Sequence, residues 1–125
     1  MKVKEVIKAM APHEQKEIGI YTIEVGGNPE PVFANTASFV EVGVLSKNKP
    51  VEDLEPILVL SAADKKLQLF PTKAWGSPGW YRARVFFTEK GTYEVRLEFT
   101  HKEKKITGTF SLTVSSPTYF PHEPY

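Results

Sequence analysis

The chain has 125 residues, 41% hydrophobic and 25% charged, and its 16 basic and 15 acidic side chains leave a formal net charge of +1. A chain of this size forms one domain that buries about two-thirds of its unfolded surface, enough for a core without metal or disulfide staples. Near-neutrality removes the field that holds nucleic acid, and the lack of cysteine excludes disulfide scaffolds, iron–sulfur sites and thiol nucleophiles.

Residues 1–17 read as a lead: a short helix, an added edge strand or a loose segment. Val3, Val6, Ile7 and Met10 follow helical spacing, but Pro12 stops the run, and a helix this short is marginal alone. Lys2, Lys4, Glu5 and Lys8 make the stretch too charged for the apolar heart of a signal peptide. No apolar run reaches the ~18 residues of a membrane span.

From Ile18 the period changes to two. Tyr21, Ile23 and Val25 alternate with Thr22 and Glu24, and Gly26-Gly27-Asn28-Pro29 signals a turn. Val40, Val42 and Val44 make a second strand. Ile57–Leu60 is a continuous apolar run, as in a strand covered on both sides or crowded by a loop, and Leu67 and Leu69 mark a short fourth strand. The last three alternate most cleanly. They run through Tyr81, Ala83, Val85 and Phe87, then Tyr93, Val95, Leu97 and Phe99, then Ile106, Gly108, Phe110, Leu112 and Val114. Such in/out alternation belongs to half-buried antiparallel sheets. About seven short strands over residues 18–114 predict an all-β, immunoglobulin-like antiparallel β-sandwich. Residues 115–125, with Pro117, Pro121 and Pro124, read as a tail whose Tyr119, Phe120 and Tyr125 are apolar enough to dock on this domain, a second copy or a partner.

Two stretches are more particular. Pro78-Gly79-Trp80-Tyr81-Arg82-Ala83 followed by Gly91-Thr92-Tyr93 has the form PGxYxA…GxY, a tight turn into one strand and a corner that Tyr93 can anchor as a tyrosine corner does. His13-Glu14 precedes Ile18-Gly19-Ile20-Tyr21-Thr22-Ile23-Glu24-Val25-Gly26-Gly27, with Pro50-Val51-Glu52-Asp53-Leu54 downstream. Over roughly Pro12 to Val114 the chain resembles YtkA-like domains and related small bacterial and archaeal immunoglobulin-like domains. The resemblance implies an exported or membrane-tethered setting, with a signal or anchor outside this sequence, and by association a copper role; a cytoplasmic protein read from its own start is the other history that fits.

Catalysis has little to stand on. His13, His101 and His122 are the candidate bases, and no GxSxG elbow, phosphate-binding glycine loop or HExxH helix is present. No enzyme activity and no resident cofactor are expected. Metal binding is the sharpest site reading, with copper through Met10, His13 and His122, since imidazole with thioether suits copper, while imidazole with the carboxylates of Glu14 and Glu123 suits Cu(II) or zinc; two solvated tail histidines are the plainer reading. For partner binding the candidates are Trp75, Phe86, Tyr119 and Phe120. A loop Trp can stack on a sugar ring or an apolar group, and an outward Phe86 beside Arg82 and Arg84 has the composition of an interface. Trp75 folding over a sandwich end is the structural alternative, and a loop or the tail covering Phe86 is another. Arg82, Arg84 and Arg96 would form ion pairs with Glu94 and Glu98 if their strands were neighbours. The Lys102–Lys105 cluster reads as a solvated hairpin turn. The expected activity is therefore binding or assembly, with a protein partner or another copy of the chain, through loops, an edge strand or the aromatic tail; nucleic acid is not expected, and a membrane only through an anchor.

Overall fold

The computed structural model describes residues 13–62 and 67–116. Every element within them is a strand: β1 (Glu14–Ile18), β2 (Tyr21–Asn28), β3 (Val32–Phe33), β4 (Ala37–Ser46), β5 (Lys49–Pro50), β6 (Ile57–Ser61), β7 (Gln68–Pro71), β8 (Lys73–Ala74), β9 (Trp80–Phe86), β10 (Gly91–His101) and β11 (Lys104–Ser115). The helically spaced Val3–Met10 stretch and the tail residues Pro117–Tyr125 lie outside the described residues.

The strands form two sheets. One runs β1-β2-β4-β9-β8 with β5 beside β4, and the other runs β3-β11-β10-β6-β7. Every pairing is antiparallel except β3 with β11. The order β2-β4-β9-β8 facing β11-β10-β6 is the A-B-E-D and G-F-C order of the immunoglobulin fold. β3 and β7 extend the second sheet, and β1 is added outside β2.

The alternation in the sequence builds the core. Ile23, Val25, Val40, Val42, Leu58, Val95 and Leu97 are wholly buried between the sheets, joined by Tyr81, Val85, Phe99, Phe110 and Leu112. Each such Val, Leu or Ile contributes on the order of 1.5–3 kcal/mol by leaving water. In the Ile57–Leu60 run, Leu58 and Leu60 enter the core while Val59 faces outward yet stays buried. Its register partner is Leu69 of β7 on that outer side.

Eleven strands stand where about seven were expected. The four additional ones lack a period-two signal: β3, β5 and β8 are two residues long, and β1 (Glu-Gln-Lys-Glu-Ile) is largely polar and exposed. β7 also differs in parity. Leu67 and Leu69 are exposed, and Phe70 is the residue that packs on the core. The expected turn at Gly26-Gly27 begins later. Both glycines belong to β2, because other side chains fill the space a Cβ would take: the His13 ring at Gly26 and Val32 at Gly27. The turn follows at Pro29–Pro31, with cis bonds before both prolines.

Turn chemistry follows the residues. Lys47-Asn48 and Lys102-Glu103 have both central residues at positive φ, the two-residue hairpin geometry that matches strand twist. Pro78-Gly79 makes a type II turn closed by Trp80 N–H to Ser77 C=O at 3.2 Å, with Gly79 at φ 85°. Tyr93 donates its hydroxyl to the Glu89 carbonyl at 2.7 Å, tying the corner between β9 and β10.

β1 closes one side of the sandwich. β11 pairs with β3 only at Val114 and Ser115, which leaves the rest of its outer edge without a strand. Glu14 accepts a hydrogen bond from the Ser111 N–H at 2.8 Å, and Lys16 donates to the Thr109 carbonyl. Ile18 fills the space over Gly108. The described chain enters and leaves at one end: His13 contacts Glu30, and the Ser115 carbonyl accepts from Ala34 N–H at 2.8 Å.

Candidate functional site

Two groups of side chains merit a chemical reading. The first surrounds His13, which lies across Gly26. Its Nδ1 is 2.5 Å from Glu24 Oε2 and its Nε2 is 2.9 Å from Glu30 Oε2, an oxygen that also accepts from the Gly27 N–H at 3.1 Å. Both nitrogens therefore meet carboxylates, and the Nδ1–Glu24 contact is a hydrogen bond. The arrangement fastens β1 to the turn after β2. Met10 and His122, the other two copper candidates, lie outside the described residues, and among the described residues no three His, Asp or Glu side chains converge as a metal site. His101 is held by the Tyr21 hydroxyl at 2.6 Å, with the two rings edge to face.

The second group lies on the outer face of the β1–β8 sheet. Residues of one parity face out along its strands: Trp80, Arg82, Arg84 and Phe86 on β9, and Ala37, Phe39, Glu41 and Gly43 on β4. Register pairs Lys73 with Arg82, and Trp75 continues the hairpin through its N–H to the Trp80 carbonyl at 3.0 Å. The Trp80 ring occupies the space over Gly43, where a Cβ would lie 2.7 Å from it. The Arg82 guanidinium is 3.5 Å from the Trp75 ring centroid and 3.7 Å from that of Phe39, so aromatic rings hold it from two sides. Glu41 is directly opposite Arg82 in register but takes its hydrogen bond from Asn28 Nδ2 at 2.9 Å.

The topology decides the charges. β9 lies in one sheet and β10 in the other, so Arg82 and Arg84 are not neighbours of Glu94 and Glu98. Glu98 is met instead by Arg96 on its own strand at 3.4 Å and by Lys105 of β11 at 3.6 Å. Among the described residues no carboxylate ion-pairs with Lys73, Arg82 or Arg84.

Trp75 is 50% exposed and Phe86 57% exposed; no described residue covers Phe86. Trp75 lies in the connection between β8 and β9, as the loop reading has it, with its ring against the Arg82 guanidinium. Phe86 also borders a cleft of about 330 Å³ with Leu60, Gln68 and Tyr93. Tyr119 and Phe120 lie outside the described residues. Phe39 and Lys73 were not singled out by sequence. Phe39 shares the outward parity of Glu41 and Gly43, a usable signal, whereas Lys73 becomes relevant only through the β8–β9 pairing.

No family model matches the chain, and no curated protein does. Among solved structures, a DUF4426 family protein from Pseudomonas aeruginosa PAO1 is similar, with 13% sequence identity, a TM-score of 0.69 and coverage of 86% of this chain and 98% of that one. Similarity at this identity shows the fold alone: an all-β sandwich.

Proposed function

We propose that this protein is a non-catalytic binding module that engages a protein partner through the outer face of the β1–β8 sheet. The observation that carries the reading is the aromatic–cationic row on that face: Trp75 and Phe86 are exposed, and Arg82 and Arg84 are without a carboxylate partner among the described residues. Exposed aromatics beside arginine have the composition of protein interfaces, and such anchors supply most of the energy when a partner desolvates them. The resemblance to exported immunoglobulin-like domains supports a setting outside the cytoplasm.

The test is site-specific photo-cross-linking in cells of the source organism. A photoreactive phenylalanine replaces Trp75 or Phe86, with Thr107, exposed on the opposite sheet, as the control position. Discrete adducts from 75 and 86 with none from 107 are the expected result, and mass spectrometry then separates a second copy from another protein. Adducts of equal yield from all three positions, or none from 75 and 86, overturn the reading.

A further inference from the structure

We infer that the concavity bounded by Phe39, Pro71, Lys73, Trp75, Arg82 and Arg84 is a carboxylate-recognition site for an acidic peptide segment of a protein partner. This rests on the docking face proposed above and adds the chemistry that the face selects. The concavity measures about 370 Å³, room for a side-chain carboxylate and adjoining backbone but not for a folded element.

The stack determines which donors are offered. With rings on two sides at 3.5 and 3.7 Å, the Arg82 guanidinium is held in place, and its N–H donors point outward in its own plane. A guanidinium presented edge-on is the fork that matches the two oxygens of a carboxylate, and holding it in advance lowers the entropy lost on binding. Lys73 stands across from Arg82 in register. Arg84 follows on the same face of β9, roughly 7 Å along the strand. Three cations thus line one concavity with no acidic side chain pairing with them among the described residues. Like charges side by side on a sheet are destabilising, and a bound anion relieves that.

The lining also separates ligand classes. Saccharide hydroxyls donate and accept hydrogen bonds together, while the polar side chains of this concavity, two arginines and a lysine, only donate. A nucleic-acid backbone needs many phosphate contacts for useful affinity, and three cations on a chain of net charge +1 do not supply them. The row instead continues from Arg84 to Phe86, which lies opposite Ala37, so an apolar residue beside the acidic one has a place to rest. A peptide with an acidic residue next to an apolar one fits both parts.

The experiment selects a displayed random peptide library on the immobilised full chain and, in parallel, on the Arg82→Gln/Arg84→Gln chain. Selected peptides are then synthesised and titrated at low and high salt. Asp and Glu beside an apolar residue are expected among the winners, with affinity falling as salt rises and about tenfold weaker binding to Arg82→Gln, as for loss of one charge-assisted hydrogen bond. Winners without acidic enrichment, or acidic winners that bind the double variant as tightly as the parent, overturn the carboxylate assignment. If such binding is still lost in Phe86→Ala, the docking face stands and only its chemistry was misassigned. Binding indifferent to Trp75→Ala, Arg82→Gln and Phe86→Ala alike, or an empty selection, overturns both. Tighter competition by a polyuronate or a DNA oligonucleotide overturns the peptide as occupant. Circular dichroism melts confirm that each variant is folded, and Arg84→Gln with Lys73→Gln carries the test if Arg82→Gln is not.

Discussion

Tyr81 shows how much one buried hydroxyl holds. It donates to the Val51 carbonyl at 2.6 Å and accepts from the Leu54 N–H at 3.2 Å, fixing the crossing loop between the sheets. Burial raises its pKa above the ordinary 10.0, and Asp53 and Glu52 push in the same direction, against the lowering effect of the Leu54 hydrogen bond. The folded chain therefore keeps this proton when the unfolded chain gives it up. Its contribution is complete below pH 10.0 and is lost as the pH rises from there through the folded value. Tyr81→Phe leaves a buried carbonyl and a buried N–H without this partner and is expected to cost about 1–3 kcal/mol near neutrality. Denaturant titrations of both proteins at rising alkaline pH check the linkage: the variant should lose stability less steeply, and equal slopes would contradict it. Little of this was legible beforehand. Tyr81 is inward by parity, but its partners come from a loop thirty residues away in sequence. The Arg82 stack is hidden for the same reason, since Phe39 lies on β4, Arg82 on β9 and Trp75 just beyond β8, and only the topology brings them together.

At the scale of the element, the strands legible in the sequence are those with one face in the core, because only burial imposes the period of two. β2, β4, β9, β10 and β11 are of this kind. β1 is not: its residues alternate between solvent and another strand's edge, and both surroundings accept polar side chains. Its task is nonetheless specific. A strand edge with open N–H and C=O groups is a template for pairing with another chain, and Glu14 and Lys16 cover that of β11 at Ser111 and Thr109. Glu14→Ala/Lys16→Ala should keep the fold, because both residues lie outside the core, yet expose the edge. Sedimentation velocity over a concentration series is expected to show self-association in the double variant beyond that of the parent; identical behaviour would show that β1 does not guard the edge.

For the whole molecule, stability and recognition reside in different places. The energy of folding lies between the sheets, whereas the aromatic–cationic row lies on the outer face of one of them, on the residues that alternate with the core-facing ones. Phe86, 57% exposed, should be removable as Phe86→Ala with a change within about 0.5 kcal/mol, as for ordinary surface positions. Val95→Ala, wholly buried on the facing sheet, should cost at least ~1 kcal/mol through the cavity it leaves. Thermal or denaturant unfolding of the two variants checks the separation, and a Phe86→Ala loss as large as that of Val95→Ala would show the face to be structural.

The positions where the described chain enters and leaves carry a last consequence. Glu30 and Ala34, four residues apart, hold His13 and Ser115, so the two positions that bound the described sandwich lie at one pole of it. A domain whose bounding strands meet at one pole can be joined there through a linker and reopened elsewhere. The hairpin turn at Lys102-Glu103, at the far end of two long strands, offers a place to reopen. The same adjacency lets the domain be inserted into a loop of another protein, where it would present the Trp75–Phe86 face without disturbing its host.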